Sequence, residues 1–142
     1  MKIKIKRLDK NLPLPKYHTQ GSACFDLLAR EAMEIAPRSI GLIPCNIIVE
    51  TPRGYMFVVV PRSSTPKKKG LIIPHGIGII DQDYSGPEDE VKFQVFNITA
   101  EPVLIAKGER LAQGCFMPIM KAEFEEVEET GKKSRGGFGS TG

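Results

Sequence analysis

Prolines and glycines interrupt this chain so often that no element in it can run long. Its 142 residues carry 14 glycines and 11 prolines, where average usage of about 7% and 5% would give roughly 17 of the two together. A helical bundle or coiled coil is excluded on that ground. What lies between the breaks has strand character. Ile3 and Ile5 alternate with lysines, and Ile40, Leu42, Ile47 and Val49 fall between Pro37 and Pro52. Tyr55 to Val60 is a β-branched and aromatic run closed by Pro61, and Val91, Phe93 and Val95 alternate with Lys92, Gln94 and Phe96. Val103 to Ala106, Leu111 to Met117 and Phe124 to Val127 follow. Short strands at close spacing predict an all-β sandwich or barrel.

One very short helix is expected. Thr65 suits the N-cap, Pro66 the first helical position and Gly70 the residue past the end, leaving about one turn for Lys67, Lys68 and Lys69. Residues 1–130 read as one β domain, the size expected for a single core. Residues 131–142 read as a flexible arm, Gly- and Lys/Arg-rich with Phe138 as its lone aromatic.

The net charge of +3 is too small to imply a nucleic-acid partner. The longest apolar run, Met56 to Val60, is far too short to span a membrane, and the alternating N-terminus lacks the apolar stretch of a signal peptide. The three cysteines, Cys24, Cys45 and Cys115, are scattered and without a CxxC, so reduced thiols in a cytoplasmic protein are expected rather than zinc ligands.

Five segments could carry chemistry. In Gly76–Gly86 an apolar strand ends in the acidic, aromatic turn Asp81-Gln82-Asp83-Tyr84, as in a β-hairpin. The calcium-loop template fails there, because Lys92 stands where a bidentate Glu is required. The Asp81 carboxylate could activate a water or bond its own backbone in an Asx-turn. Pro61-Arg62-Ser63-Ser64 precedes the helix and outlines either an anion site or a capping cluster beside a surface Arg. Arg135-Gly136-Gly137-Phe138-Gly139-Ser140-Thr141-Gly142 offers N–H groups, hydroxyls and a guanidinium suited to phosphate oxygens. It is not a Walker A loop, since no Lys precedes its Ser/Thr. Gly21 to Leu27 places Asp26 among apolar neighbours, which a strand tolerates when the carboxylate meets a cation or a donor. The fifth segment is Arg110-Leu111-Ala112-Gln113.

Taken in order from Gly21 to Gly142, these segments resemble the trimeric deoxyuridine triphosphate nucleotidohydrolases (dUTPases). GIIDQDYSG at Gly78–Gly86 and GGFGSTG at Gly136–Gly142 are the most specific matches, with PRSS and RLAQ beside them. The resemblance implies a jelly-roll-like fold, a homotrimer with sites at subunit interfaces, and an arm from one subunit closing over a site built by the other two. It implies Mg²⁺-dependent hydrolysis of dUTP to dUMP and pyrophosphate, which limits uracil entry into DNA and supplies dUMP for dTMP synthesis.

Carried over by position, Asp81 would activate the water that attacks the α-phosphorus, and Tyr84 would pack beneath the deoxyribose and exclude a 2′-hydroxyl. The hairpin backbone from Ile73 to Ile80, with His75, Gly78, Ile79 and Ile80, would read the uracil edge. Asp26 would hold Mg²⁺ through water. Arg62, Ser63, Ser64 and Gln113 would bind phosphate oxygens, Phe138 would stack on uracil, and Gly139, Ser140 and Thr141 would wrap the phosphates.

The chain also departs from the pattern. Many relatives carry the arm's arginine five positions before the Phe, where Lys133 stands here, while Arg135 lies three before, so either could meet the γ-phosphate. Many have Gly in place of Ser64, and some have Asn in place of His75. Pro87-Glu88-Asp89 looks like an insertion. Of the rival readings, dCTP deaminase needs a glutamate where Gln94 stands, and a neutral amide cannot act as that base. A non-catalytic binder should have lost Asp81 or Phe138. Nucleic-acid binding through the lysines lacks interleaved aromatics.

Overall fold

The computed structural model describes residues 1–137 and 139. The chain forms β1 (Ile5–Arg7), β2 (Phe25–Leu28), β3 (Met33–Ile35), β4 (Ile40–Pro44), β5 (Ile47–Val49) and β6 (Tyr55–Pro61). After α1 (Thr65–Lys69) come β7 (Leu71–Ile72), β8 (Gly78–Ile80), β9 (Lys92–Asn97), β10 (Val103–Ile105) and β11 (Arg110–Pro118). The expected all-β, jelly-roll-like architecture is what the residues form, with one five-residue helix among those described.

A four-stranded antiparallel sheet has the order β2-β11-β6-β8, and a three-stranded one the order β4-β9-β7. Two antiparallel pairs, β1-β5 and β10-β3, complete the fold. Side-chain alternation drives the packing: along β9, Phe93, Val95 and Asn97 point inward, and Lys92, Gln94 and Phe96 do not. Phe57, Val58 and Val59 of β6 are all buried, so that strand is covered on both faces. Phe25 stacks on Phe57 with ring centroids 5.8 Å apart, and Phe57 meets Phe116 at 5.0 Å. Gly114 makes this cluster possible, because a Cβ there would lie 2.4 Å from the Phe57 ring.

Three expectations need correction. The helix N-cap is Ser64, not Thr65. The Thr65 hydroxyl instead donates to the Leu111 carbonyl at 2.7 Å, so it ties the helix to β11 and is not free to cap. Gly70 does end the helix, with φ of 63°, the left-handed conformation glycine adopts without strain. Phe124 to Val127 form no strand. No neighbouring edge among the described residues pairs with them, and Phe124 is 97% exposed. Finally, the segment between β7 and β8 is not a paired hairpin. β7 pairs with β9 and β8 with β6, so the turn at 73–77 joins two sheets. Alternation marks a strand without naming its partner.

Candidate active site

Asp26 is the centre of the first cluster. It sits on β2 directly opposite Gln113 of β11, and its side chain is only 4% exposed. Gln113 Nε2 donates to Asp26 Oδ1 at 3.0 Å, and Arg62 Nε lies 3.2 Å from the same oxygen. The other oxygen, Oδ2, is 3.3 Å from Arg110 Nη1 and 3.0 Å from His18 Nε2. Burying a carboxylate is costly unless it is paired and hydrogen-bonded, and this one accepts hydrogen bonds from Gln113 and Arg110 with Arg62 and His18 at ion-pair distance.

The pairing follows from local backbone geometry. Arg62 leaves the end of β6, held by its N–H to the Leu111 carbonyl at 3.0 Å. Arg110 and Gln113, three apart, would face opposite sides of a regular strand. A register shift between Arg110 and Ala112 adds a residue to β11 and turns Arg110 onto the Gln113 face. RLAQ therefore presents both ends of the motif to one carboxylate.

Beside this cluster lies a basic cavity of about 330 Å³, lined among others by Arg62, Ser64, Lys68, Lys69 and Arg110. Ser63 and Ser64 open the helix, and the Ser64 carbonyl accepts the Lys68 N–H at 2.9 Å. Lys69 is already engaged, 2.8 Å from Glu109 and donating to the Leu104 carbonyl at 2.9 Å. Partial burial works to raise the Glu109 carboxyl, but the bonds from Lys69 and the Ala106 N–H outweigh it and hold the group below its ordinary range. Arg62, Arg110 and Gln113 are thus donors that an arriving polyanion could share with Asp26.

A second cluster is built at the far edge of the sheet. Gly78, Ile79 and Ile80 form β8, and a Cβ on Gly78 would lie 3.1 Å from the Val59 carbonyl. His75 is exposed in the preceding turn, where the Ile77 N–H reaches its carbonyl at 3.0 Å. Asp81 follows β8 and is exposed, with no hydrogen bond to its carboxylate among the described residues. The Asx-turn alternative is therefore not realised. The Tyr84 N–H instead reaches the Asp81 carbonyl at 3.4 Å, and the Tyr84 hydroxyl donates to the Glu90 carbonyl at 3.3 Å. Ile79, Ile80, Asp81, Tyr84 and Lys92 line a cleft of about 210 Å³. The neighbouring 87–89 segment is a self-closed turn, with Asp89 accepting from the Gly86 N–H at 2.7 Å.

The two clusters do not meet in one chain. Asp26, Gln113 and Val60 share a row, while Ile80 pairs with Phe57 and so places Asp81 beyond it, level with Met56. With strands about 4.8 Å apart and residues about 3.4 Å along each, Asp81 and Asp26 are separated by about 20 Å. In the arm, residues 131–137 are exposed and form no strand. Arg135 and Lys133 are among them, and Gly139 has φ of 95°. The remaining arm candidates, Phe138, Ser140 and Thr141, lie outside the described residues.

No group of three or more His, Cys, Asp or Glu could cage a metal among the described residues. Mg²⁺ is commonly bound by one or two carboxylates plus substrate phosphates, keeping several of its waters. A single carboxylate at the edge of a basic cavity fits that use. The fit requires the ion's waters to take a place now held by one of the four side chains around Asp26. Two members of this cluster escaped the sequence reading. Arg110 depends on a bulge no pattern announces, and His18 reaches Asp26 from a loop with no periodicity.

Known proteins share this sequence pattern and this fold. The dUTPase family model matches residues 10–142. A deoxyuridine 5′-triphosphate nucleotidohydrolase of Lactococcus lactis is 42% identical over 91% of this chain and 87% of its own. The structure of the Streptococcus mutans dUTPase superposes with a TM-score of 0.78 at 34% identity, covering 86% of this chain and 98% of that one. The dUTPase of Staphylococcus bacteriophage 80alpha, in its structure with dUPNHPP, superposes at 0.87 with 26% identity, covering 99% and 98%. No helix among the described residues is long and apolar enough to cross a membrane. With its family model, its relatives and its fold in accord, this chain belongs to the dUTPase family.

Proposed function

We infer that the chain is a dUTP diphosphatase, hydrolysing dUTP to dUMP and pyrophosphate in the cytoplasm as a homotrimer. The observation that carries the reading is the division of labour across the β2-β11-β6-β8 sheet. A buried carboxylate surrounded by Arg62, Arg110 and Gln113 lies at one edge, and the unengaged Asp81 beside Tyr84 lies at the other. Phosphates belong at the first cluster and the deoxyuridine at the second.

In this mechanism Asp81 orients a water and takes its proton as the water attacks the α-phosphorus. A base must lie within about 3 Å of the atom it serves, so a free, exposed carboxylate is the competent one. Arg62, Ser63, Ser64 and Gln113 hold phosphate oxygens and offset the charge that builds on them, the largest single contribution in reactions of this kind. Asp26 would hold Mg²⁺ through water, and the ion would supply further neutralisation of those oxygens. Tyr84, its hydroxyl fixed on the Glu90 carbonyl, packs beneath the sugar and leaves no room for a 2′-hydroxyl. The backbone from Ile73 to Ile80, with His75, Gly78, Ile79 and Ile80, reads the base. Phe138 stacks on it, and Arg135, Gly139, Ser140 and Thr141 close over the phosphates.

The test is pyrophosphate release from dUTP, UTP, dCTP and dTTP with Mg²⁺, for the wild type and Asp81→Asn. Release from dUTP alone is expected, lowered on the order of 10²–10⁴-fold by the substitution. No release from any of the four would overturn the reading in favour of a non-catalytic binder.

A further inference from the structure

Two of the three thiols face each other in a place the proposed hydrolysis does not use. Across β2 and β11, Asp26 opposes Gln113 and Phe25 opposes Gly114, so the next step outward sets Cys24 against Cys115. Cys24 is the residue just before β2, the two thiols act on one another electrostatically, and each is partly exposed. Residues directly opposed on antiparallel strands have Cα atoms about 4.5–5.5 Å apart, inside the span of about 4.4–6.8 Å that a disulfide bridges. Alternation puts Cys24 on the Asp26 face and Cys115 on the Gln113 face, two rows from the anion cluster.

We propose that Cys24 and Cys115 form a reversible disulfide when the protein meets a low-molecular-weight disulfide as oxidant, stapling β2 to β11 beside the phosphate-binding row. The deprotonated Cys24 sulfur attacks one sulfur of the small disulfide, whose S–S bond breaks and releases one small thiolate. Cys115 then loses its proton to water and attacks the Cys24 sulfur, and the second small thiolate leaves. The protein gives up two protons and two electrons, and the small disulfide ends as two thiols. Cys45 stays outside the exchange, fully enclosed, with burial pushing its thiol up to about 12.

The experiment is incubation of the full-length protein with oxidised glutathione, followed by intact mass, peptide mapping without reductant and thermal unfolding. The expected product is about 2 Da lighter, contains a Cys24–Cys115 linked peptide within one chain, and reverts with dithiothreitol. Its Tm is raised by on the order of 5–10 °C, because the bridge closes a long stretch of chain. Cys24→Ser and Cys115→Ser each show no such loss, whereas Cys45→Ala retains it. The mapping of the wild type decides the matter even where a variant fails to fold. Separate glutathione adducts on the two cysteines, a link through Cys45, a bridge between copies, or full alkylation of both thiols after oxidation would each overturn the proposal.

Discussion

Gly114 shows how one missing side chain can organise a core. The three rings of Phe25, Phe57 and Phe116 close around β11 because nothing projects from position 114. A methyl group there would sit 2.4 and 2.6 Å from two carbons of the Phe57 ring and 3.2 Å from the Phe25 ring. These rings are packed and cannot swing aside as the end of a flexible side chain could. Gly114→Ala is therefore expected to destabilise the fold by about 1–3 kcal/mol, the usual cost of overpacking, read from urea unfolding. A change below a few tenths of a kcal/mol would mean that the cluster has slack. Asp26 makes the complementary point for polar groups. Its apolar sequence neighbours announce burial, and the arginines that make burial tolerable come from β11 and the end of β6.

Between elements, single polar side chains do the joining. Asn97 at the end of β9 is fully buried and donates to the carbonyls of Ile35, Ala36 and Glu101 at 3.1, 3.2 and 2.8 Å. Its oxygen accepts from the Thr99 N–H and hydroxyl. Asn97→Ala would strand several buried groups at once and is expected to cost about 2–4 kcal/mol, measured as a lower urea midpoint with an unchanged slope. Asp9 tethers the N-terminal segment to the β10-β11 turn through Lys107 at 2.6 Å. The hydrogen bond from Lys107, aided by the Asn11 N–H, holds its carboxyl below the unfolded value of 3.8. The stabilising effect is thus fully present above 3.8 and is lost as pH falls through the lower folded value. The stability difference between wild type and Asp9→Asn should stay level from neutral pH to about 5 and close below 3.8; a gap persisting at pH 2 would refute the tether. Sequence patterning exposed most strands because alternation and Gly/Pro breaks are local properties. It misjudged features that depend on a partner. The β11 bulge that turns Arg110, the separation of β7 from β8 and the unpaired Phe124 segment are all settled by neighbours distant in sequence. Asp26, Arg62 and Gln113 could each be singled out from the sequence, but the meeting of Arg62 and Gln113 at the Asp26 carboxylate required the fold.

At the scale of the whole molecule, the separation of the two clusters has a consequence for assembly. In the proposed mechanism a water activated by Asp81 attacks a phosphorus whose oxygens are held by Arg62 and Gln113, yet Asp81 lies about 20 Å from Asp26 in the same chain by strand geometry. On the proposed function, one chain would carry two halves of two different sites, and a closed ring of identical chains would bring each half against its complement. Complementation between variants tests this directly. Asp81→Asn lacks the base but keeps the phosphate cluster, and Arg62→Ala lacks part of that cluster but keeps the base. Each alone should be nearly inactive. When the two are unfolded together in equal amounts and refolded, random assortment pairs an intact Asp81 with an intact Arg62 from another chain in about one quarter of the sites. Pyrophosphate release from dUTP should then recover to about a quarter of the wild-type rate, while the same variants refolded separately and then mixed should recover nothing before subunits exchange. If both residues served a site within one chain, every site would carry one defect and co-refolding would restore no activity at all.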